Sequence, residues 1–84
     1  MNIESILNQG ISTLKESKIS NPQLDGEILL SNSIKRDKKH IILNPKELLN
    51  SEQIKIFQNL IERRKKGEPV AHLINKKEFW KDEF

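Results

Sequence analysis

The chain contains no cysteine and no tyrosine, one tryptophan, three phenylalanines, three glycines and two histidines in 84 residues. Without cysteine there are no disulfides and no thiolate metal sites, and nothing requires an oxidising compartment. Gly10, Gly26 and Gly67 are far apart, so no glycine-rich loop can turn backbone N–H groups toward a cofactor's phosphate or carboxylate. His40 and His72 have no second imidazole at helical ligand spacing, which makes them surface or core-edge residues before metal ligands. No Gly-x-Ser-x-Gly turn supports a serine nucleophile. Long apolar runs are missing as well: none approaches the roughly 18 residues of a membrane span. The start, Met1 to Ser5, lacks the basic segment and apolar stretch of a secretory leader, so the sequence predicts a soluble, cytoplasmic protein with no membrane partner.

What is present is polar but patterned. Hydrophobic residues make up 35% and charged residues 32%, and the apolar ones recur at helical spacing, which sets the chain apart from a disordered one. The length allows one domain with a small core. The net charge of +3 is too small to fix a partner by itself. Two basic clusters, Lys35 to His40 and Arg63 to Lys66, could contact phosphates, but no aromatic residue lies among their cations to stack a base. They read better as a solvated face and as a helix C-terminus whose cations offset the macrodipole.

The periodicity predicts an all-α fold, a small bundle of four longer helices and a short fifth. Ile3, Ile6, Leu7, Ile11 and Leu14 line one face of a first helix over about 2–17, with Gly10 a weak point in its middle. Asn21 can cap a second helix that has Pro22 at its first position and carries Leu24, Ile28 and Leu29 inward. The poor helix formers Ser31-Asn32-Ser33 should end or interrupt it. A short third helix over about 36–43 presents Ile34, Ile41, Ile42 and Leu43, and Asn44-Pro45 closes it. Asn50 with Gln53 has capping-box spacing and opens the clearest helix, about 51–66, with Ile54, Phe57, Leu60 and Ile61 on one stripe. Gly67 stops that helix, and Pro69 starts a short turn through Ile74. The expected core is Ile6, Leu7, Leu14, Leu24, Ile28, Leu29, Ile54, Phe57, Leu60 and Ile61.

Carboxylates are abundant, but Asp25 and Glu27 sit at i and i+2 and so diverge on a helix. They read as helix N-terminal acids unless a neighbouring segment pairs with one of them. No catalytic, cofactor-binding or metal residue is assigned. The aromatic tail is different: Lys76 to Trp80 reads as a strand, with Phe79 and Trp80 on opposite faces. A lone strand leaves backbone groups and apolar surface uncovered. Either both aromatics fold back on this domain's own core, or one face belongs to a partner or a following domain.

Taken together, Asp25-Gly26-Glu27-Ile28-Leu29-Leu30, the capped Gln53 helix ending Arg63-Arg64-Lys65-Lys66-Gly67-Glu68-Pro69, Val70-Ala71-His72-Leu73, and Lys77-Glu78-Phe79-Trp80 resemble the N-terminal domain of the HemK/PrmC protein-(glutamine-N5) methyltransferases. The resemblance runs over essentially the whole chain. It implies a helical domain over 1–75 that recognises the substrate, and over 76–84 the start of a β-hairpin leading to a Rossmann-like catalytic domain. Family members use S-adenosylmethionine to methylate the glutamine of the Gly-Gly-Gln loop in peptide chain release factors. Gly26 replaces a usual Ala, a change expected to weaken the second helix by about 1 kcal/mol, and Asn75 replaces a usual Gly. The family's glycine-rich cofactor motif and Asn-Pro-Pro-Tyr motif are not in this sequence, so the chain alone is expected to be inactive and to bind no cofactor.

The residues expected to contact a release factor or the catalytic domain are Arg63, Arg64, His72, Lys77, Glu78, Phe79, Trp80 and Phe84. Weak self-association through the tail is a further expectation. Two other readings stand beside this one: a stand-alone helical interaction module, and a small nucleic-acid binder using the two basic clusters, which the missing aromatics disfavour.

Overall fold

The computed structural model describes residues 1–74 and shows four named helices and a fifth helical stretch at 70–74. The first, α1, runs Ile3–Glu16, with the Asn2 side chain accepting from the Ser5 N–H at 2.9 Å. The second, α2, runs Pro22–Ile34, the third, α3, Lys38–Leu43, and the fourth, α4, Ser51–Lys65. Both halves of the capping box form at the start of α4: Gln53 N–H donates to Asn50 at 2.7 Å, and Asn50 N–H donates to the Gln53 side chain at 3.0 Å. Asp37 caps α3 by accepting from His40 N–H at 2.9 Å, which starts that helix two residues later than the spacing predicts.

α2 lies against α1, α3 and α4, so it is the centre of the bundle. The Asp25–Arg64 ion pair joins the start of α2 to the end of α4. Backbone hydrogen bonds from Ile3 to Glu47 and from Leu49 to Met1 join the start of α1 to the loop before α4. α1 and α4 therefore run in one direction and α2 in the other. One end of the bundle carries α3 and the 44–50 loop, and the opposite end carries residues 66–74. The core between them is Ile3, Ile6 and Leu14 from α1, Leu29, Leu30 and Ile34 from α2, Phe57, Leu60 and Ile61 from α4, with Ile41, Leu49 and Leu73 closing its ends.

The central position of α2 explains where the sequence expectations miss. Leu24 is 43% exposed and Ile28 half-buried, while Leu30 is fully buried. A helix with neighbours on several sides has no single apolar stripe, so the 24/28 face turns outward and Gly26, Leu29, Leu30 and Ser33 turn inward. Leu7 and Ile54 are only partly buried against the core.

Ser31-Asn32-Ser33 does not end α2. The Ser31 hydroxyl donates to the Ile28 carbonyl and the Ser33 hydroxyl to the Leu29 carbonyl, each at 2.8 Å, so both groups are satisfied within the helix. The helix stops instead at Lys35, a left-handed residue with φ 61°. Asn21 makes no side-chain cap bond, and Pro22, which needs no partner for a missing N–H, starts the helix alone. Of the aliphatic residues that the third helix presents, Ile42 and Leu43 are 62% and 67% exposed, because the six-residue α3 seats only Ile41 in the core. The expected strand, the boundary at 75/76 and Asn75 lie outside the described residues.

Candidate docking site

Arg63 and Arg64 close α4 where the chain must reverse. Gly67 makes that reversal, with φ +108°, a region L side chains avoid. Its N–H donates to the Arg64 carbonyl at 2.9 Å and the Glu68 N–H to the Arg63 carbonyl at 3.1 Å, satisfying the helix end. The turn brings Glu68 back against the helix it has left. Arg63 then holds Glu68 in a two-point pair, Nε to Oε1 at 2.8 Å and Nη2 to Oε2 at 2.7 Å. The His72 ring meets the same carboxylate from the following turn. The Arg63 hydrogen bond, more than any other cause, holds the Glu68 carboxyl below its ordinary range, and partial desolvation opposes it.

Arg64 points the other way. Its Nε donates to Asp25 Oδ2 at 3.0 Å and its Nη1 to the Glu68 carbonyl at 3.3 Å. Both side chains of the Asp25–Arg64 pair are largely covered, at 12% and 21% exposed. This pair is a cross-link between the first turn of α2 and the last turn of α4, so Asp25 has the neighbouring partner that the sequence left open. The result is a clamp: two arginines and two carboxylates fix the 66–69 turn, and Leu73 is plugged into the core behind it with no exposure.

The clamp joins Arg63, Arg64 and His72, three of the sequence-selected residues, through Glu68. It adds Asp25, whose pairing with Arg64 spans 39 residues in sequence, and Glu68, five residues from Arg63 and paired with it only once the Gly67 turn folds back. Lys77, Glu78, Phe79, Trp80 and Phe84 lie outside the described residues. Chemically, the arginines and carboxylates neutralise one another and leave no base beside a nucleophile. Their effect is to hold the 66–69 turn against the ends of α2 and α4.

A shallow groove of about 350 Å3 lies between α1 and α4, lined by Ile6, Gln9, Gly10, Thr13, Phe57 and neighbours. Its floor is apolar and its rim carries amide, hydroxyl and carboxylate groups from Gln9, Thr13, Gln58 and Glu62. Among the described residues no group of three acidic or histidine side chains could hold a metal, and no helix is long and apolar enough to cross a membrane. The glycines of α1 and α2 do not supply a cradle for S-adenosylmethionine, which the family resemblance implies. A Cβ at Gly10 would fall 2.5 Å from the Phe57 ring, and one at Gly26 3.0 Å from Ile11, so both glycines serve helix packing and neither forms a cradle. His40 is occupied by Glu47, 2.7 Å from its Nε2.

Comparison with known proteins agrees with this domain picture. The family model described as the PrmC N-terminal domain matches residues 5–74. A release factor glutamine methyltransferase of Buchnera aphidicola subsp. Schizaphis graminum is 44% identical over 80 residues, covering 95% of this chain and 28% of the relative. A bifunctional methyltransferase of Rickettsia bellii is 37% identical over 82 residues, covering 98% of this chain and 15% of the relative. A release factor glutamine methyltransferase of Coxiella burnetii is 35% identical over 74 residues, covering 88% of this chain and 25% of the relative. The chain thus spans between 15% and 28% of the length of these three relatives. No solved structure gives a significant match. With the family model matched from the first turn of α1 to the end of the clamp, the chain belongs to the PrmC N-terminal domain family.

Proposed function

We propose that this chain is the release-factor-recognition part of an S-adenosylmethionine-dependent protein-glutamine methyltransferase acting in the cytoplasm on peptide chain release factors. Residues 1–75 dock the release factor, and residues 76–84 begin the link to the domain that binds the cofactor and transfers the methyl group. The observation that carries this reading is the family match over 5–74, the helical part of the chain. The clamp supports it further, because a stiff connection favours presenting substrate to a separate active site in one geometry. The Arg63–Glu68 and Arg64–Asp25 pairs supply that stiffness at the last described turn.

A chimera tests the reading. The matching segment of the Buchnera release factor glutamine methyltransferase is deleted, or replaced by this chain. Transfer of a labelled methyl group from S-adenosylmethionine to purified release factor is then followed. The replacement should restore methylation lost on deletion. If the chimera binds S-adenosylmethionine normally yet methylates no better than the deletion, the docking role is wrong.

A further inference from the structure

The end of the bundle opposite the clamp exposes aliphatic side chains that the backbone holds outward. Ile41 anchors α3 at 2% exposure, so Ile42 and Leu43, turned about 100° and 200° further round the helix, project to solvent at 62% and 67%. The turn that follows is tied by Glu47 N–H to the Asn44 carbonyl at 3.2 Å and by the His40–Glu47 contact. Leu48 comes next, bridged to Asn2 in an extended stretch. Its neighbour Leu49 is buried at 7%, and alternation puts Leu48 outside at 75%. These leucines are exposed because buried neighbours fix them there. Loose chain would not hold them so.

Cations adjoin the same corner. Lys35, Arg36 and Lys39 are exposed and have no ion-pair partner among the described residues, whereas Lys38 faces Glu27 at 3.9 Å and Lys46 faces Glu4 at 3.4 Å. Segment 35–40 holds four basic residues against Asp37 alone, a balance equal to the whole chain's +3. A rigid aliphatic patch edged by unpaired cations complements a surface of the opposite kind, an apolar side chain ringed by carboxylates. Three aliphatic residues offer no stacking platform for bases. A six-residue helix offers no long amphipathic face for a bilayer. The fifteen-residue α4 separates this corner from the clamp by roughly 22 Å at 1.5 Å per residue, so the two are separate faces.

We propose that the α2–α3 corner, with Ile42, Leu43 and Leu48 as apolar anchors and Lys35, Arg36 and Lys39 around them, is the face that docks an acidic protein surface. This deepens the docking role proposed above and rests on it: the acidic surface belongs to the release factor.

The test titrates the 84-residue chain with purified release factor by calorimetry. Two surface variants are compared with the parent: Leu43→Ser with Leu48→Ser, and Lys35→Glu with Arg36→Glu and Lys39→Glu. All altered residues are exposed, so circular dichroism should be unchanged. Each variant should weaken binding at least about tenfold, and the parent's affinity should fall with added salt, the dependence being flatter for the charge variant. Parent-like affinity in both variants overturns this face while leaving the docking role intact. A parent that does not bind release factor removes both. Binding of the parent to a random single-stranded DNA or to anionic phosphatidylserine vesicles instead, lost in the charge variant, also overturns the proposal in favour of a phosphate ligand.

Discussion

Gly10→Ala should destabilise the protein even though it replaces the second-worst helix former by the best. In the interior of α1 the propensity gain is about 1 kcal/mol. Against it stands the ring of Phe57, whose Cζ and Cε2 would lie 2.5 and 2.8 Å from the new methyl, with Ile61 Cδ1 at 3.1 Å. Phe57 is 1% exposed, and relief toward the neighbouring groove would bring its ring into water. Overpacking of this kind costs about 1–3 kcal/mol, and a sub-van der Waals contact with an enclosed ring belongs in the upper part of that range. The net effect is a loss of about 1–2 kcal/mol, or roughly 5–15 °C in melting temperature for a domain of this size. Gly26→Ala is the internal control: its methyl meets the partly buried Ile11 at 3.0 Å and Leu7 at 3.5 Å, side chains with room to move by a few tenths of an ångström. It should be neutral or stabilising, because the helix-propensity gain of about 1 kcal/mol meets only side-chain ends. Thermal melts by circular dichroism decide the matter, and Phe57→Leu should absorb most of the Gly10→Ala cost in a double-mutant cycle. A Gly10→Ala protein that melts at or above the parent would refute the packing argument.

Leu29→Ala or Leu60→Ala should each cost about 2–5 kcal/mol in denaturant unfolding, a large share of what so small a core provides. Acid should loosen the clamp. Because Glu68 is held below its ordinary range when folded, its contribution is full above the unfolded glutamate value of about 4.3 and is lost as pH falls through the lower folded value. Unfolding of Glu68→Gln followed against pH should therefore lack part of the parent's decline below that value, and curves of the same shape would contradict the assignment. For the tail, Trp80→Ser with Phe84→Ser should reduce concentration-dependent self-association in sedimentation without changing the helical signal. Identical sedimentation of parent and variant would reject the tail as a sticky edge.

The helices were legible wherever a local device sets them. Asn50 caps, Pro22 sits at a first turn, and Gly67 ends α4, all within four residues of the structure they cause, whereas Asn2, read as the first residue of α1, is its cap. The misreadings share one cause, that burial is decided by neighbours distant in sequence. Leu24 and Leu30 look alike along the chain, and only the placement of α2 among three helices turns one outward and the other inward. Ser31 and Ser33 look like breakers until their hydroxyls turn back onto carbonyls of their own helix. At the clamp, Arg63, Arg64 and His72 were picked out by their resemblance to a family. Their contacts with Glu68 and Asp25 emerge only when the turn at Gly67 folds back. The outward-held Leu43 and Leu48 carried no sequence signal, because an exposed leucine is written like a buried one.

The most direct test of the central claim is calorimetry of the purified chain with two ligands in turn, a peptide chain release factor and S-adenosylmethionine. A release-factor-recognition domain should bind the release factor saturably, one to one, and show no heat of binding with the cofactor. Micromolar affinity for S-adenosylmethionine together with no detectable binding of release factor would contradict the account.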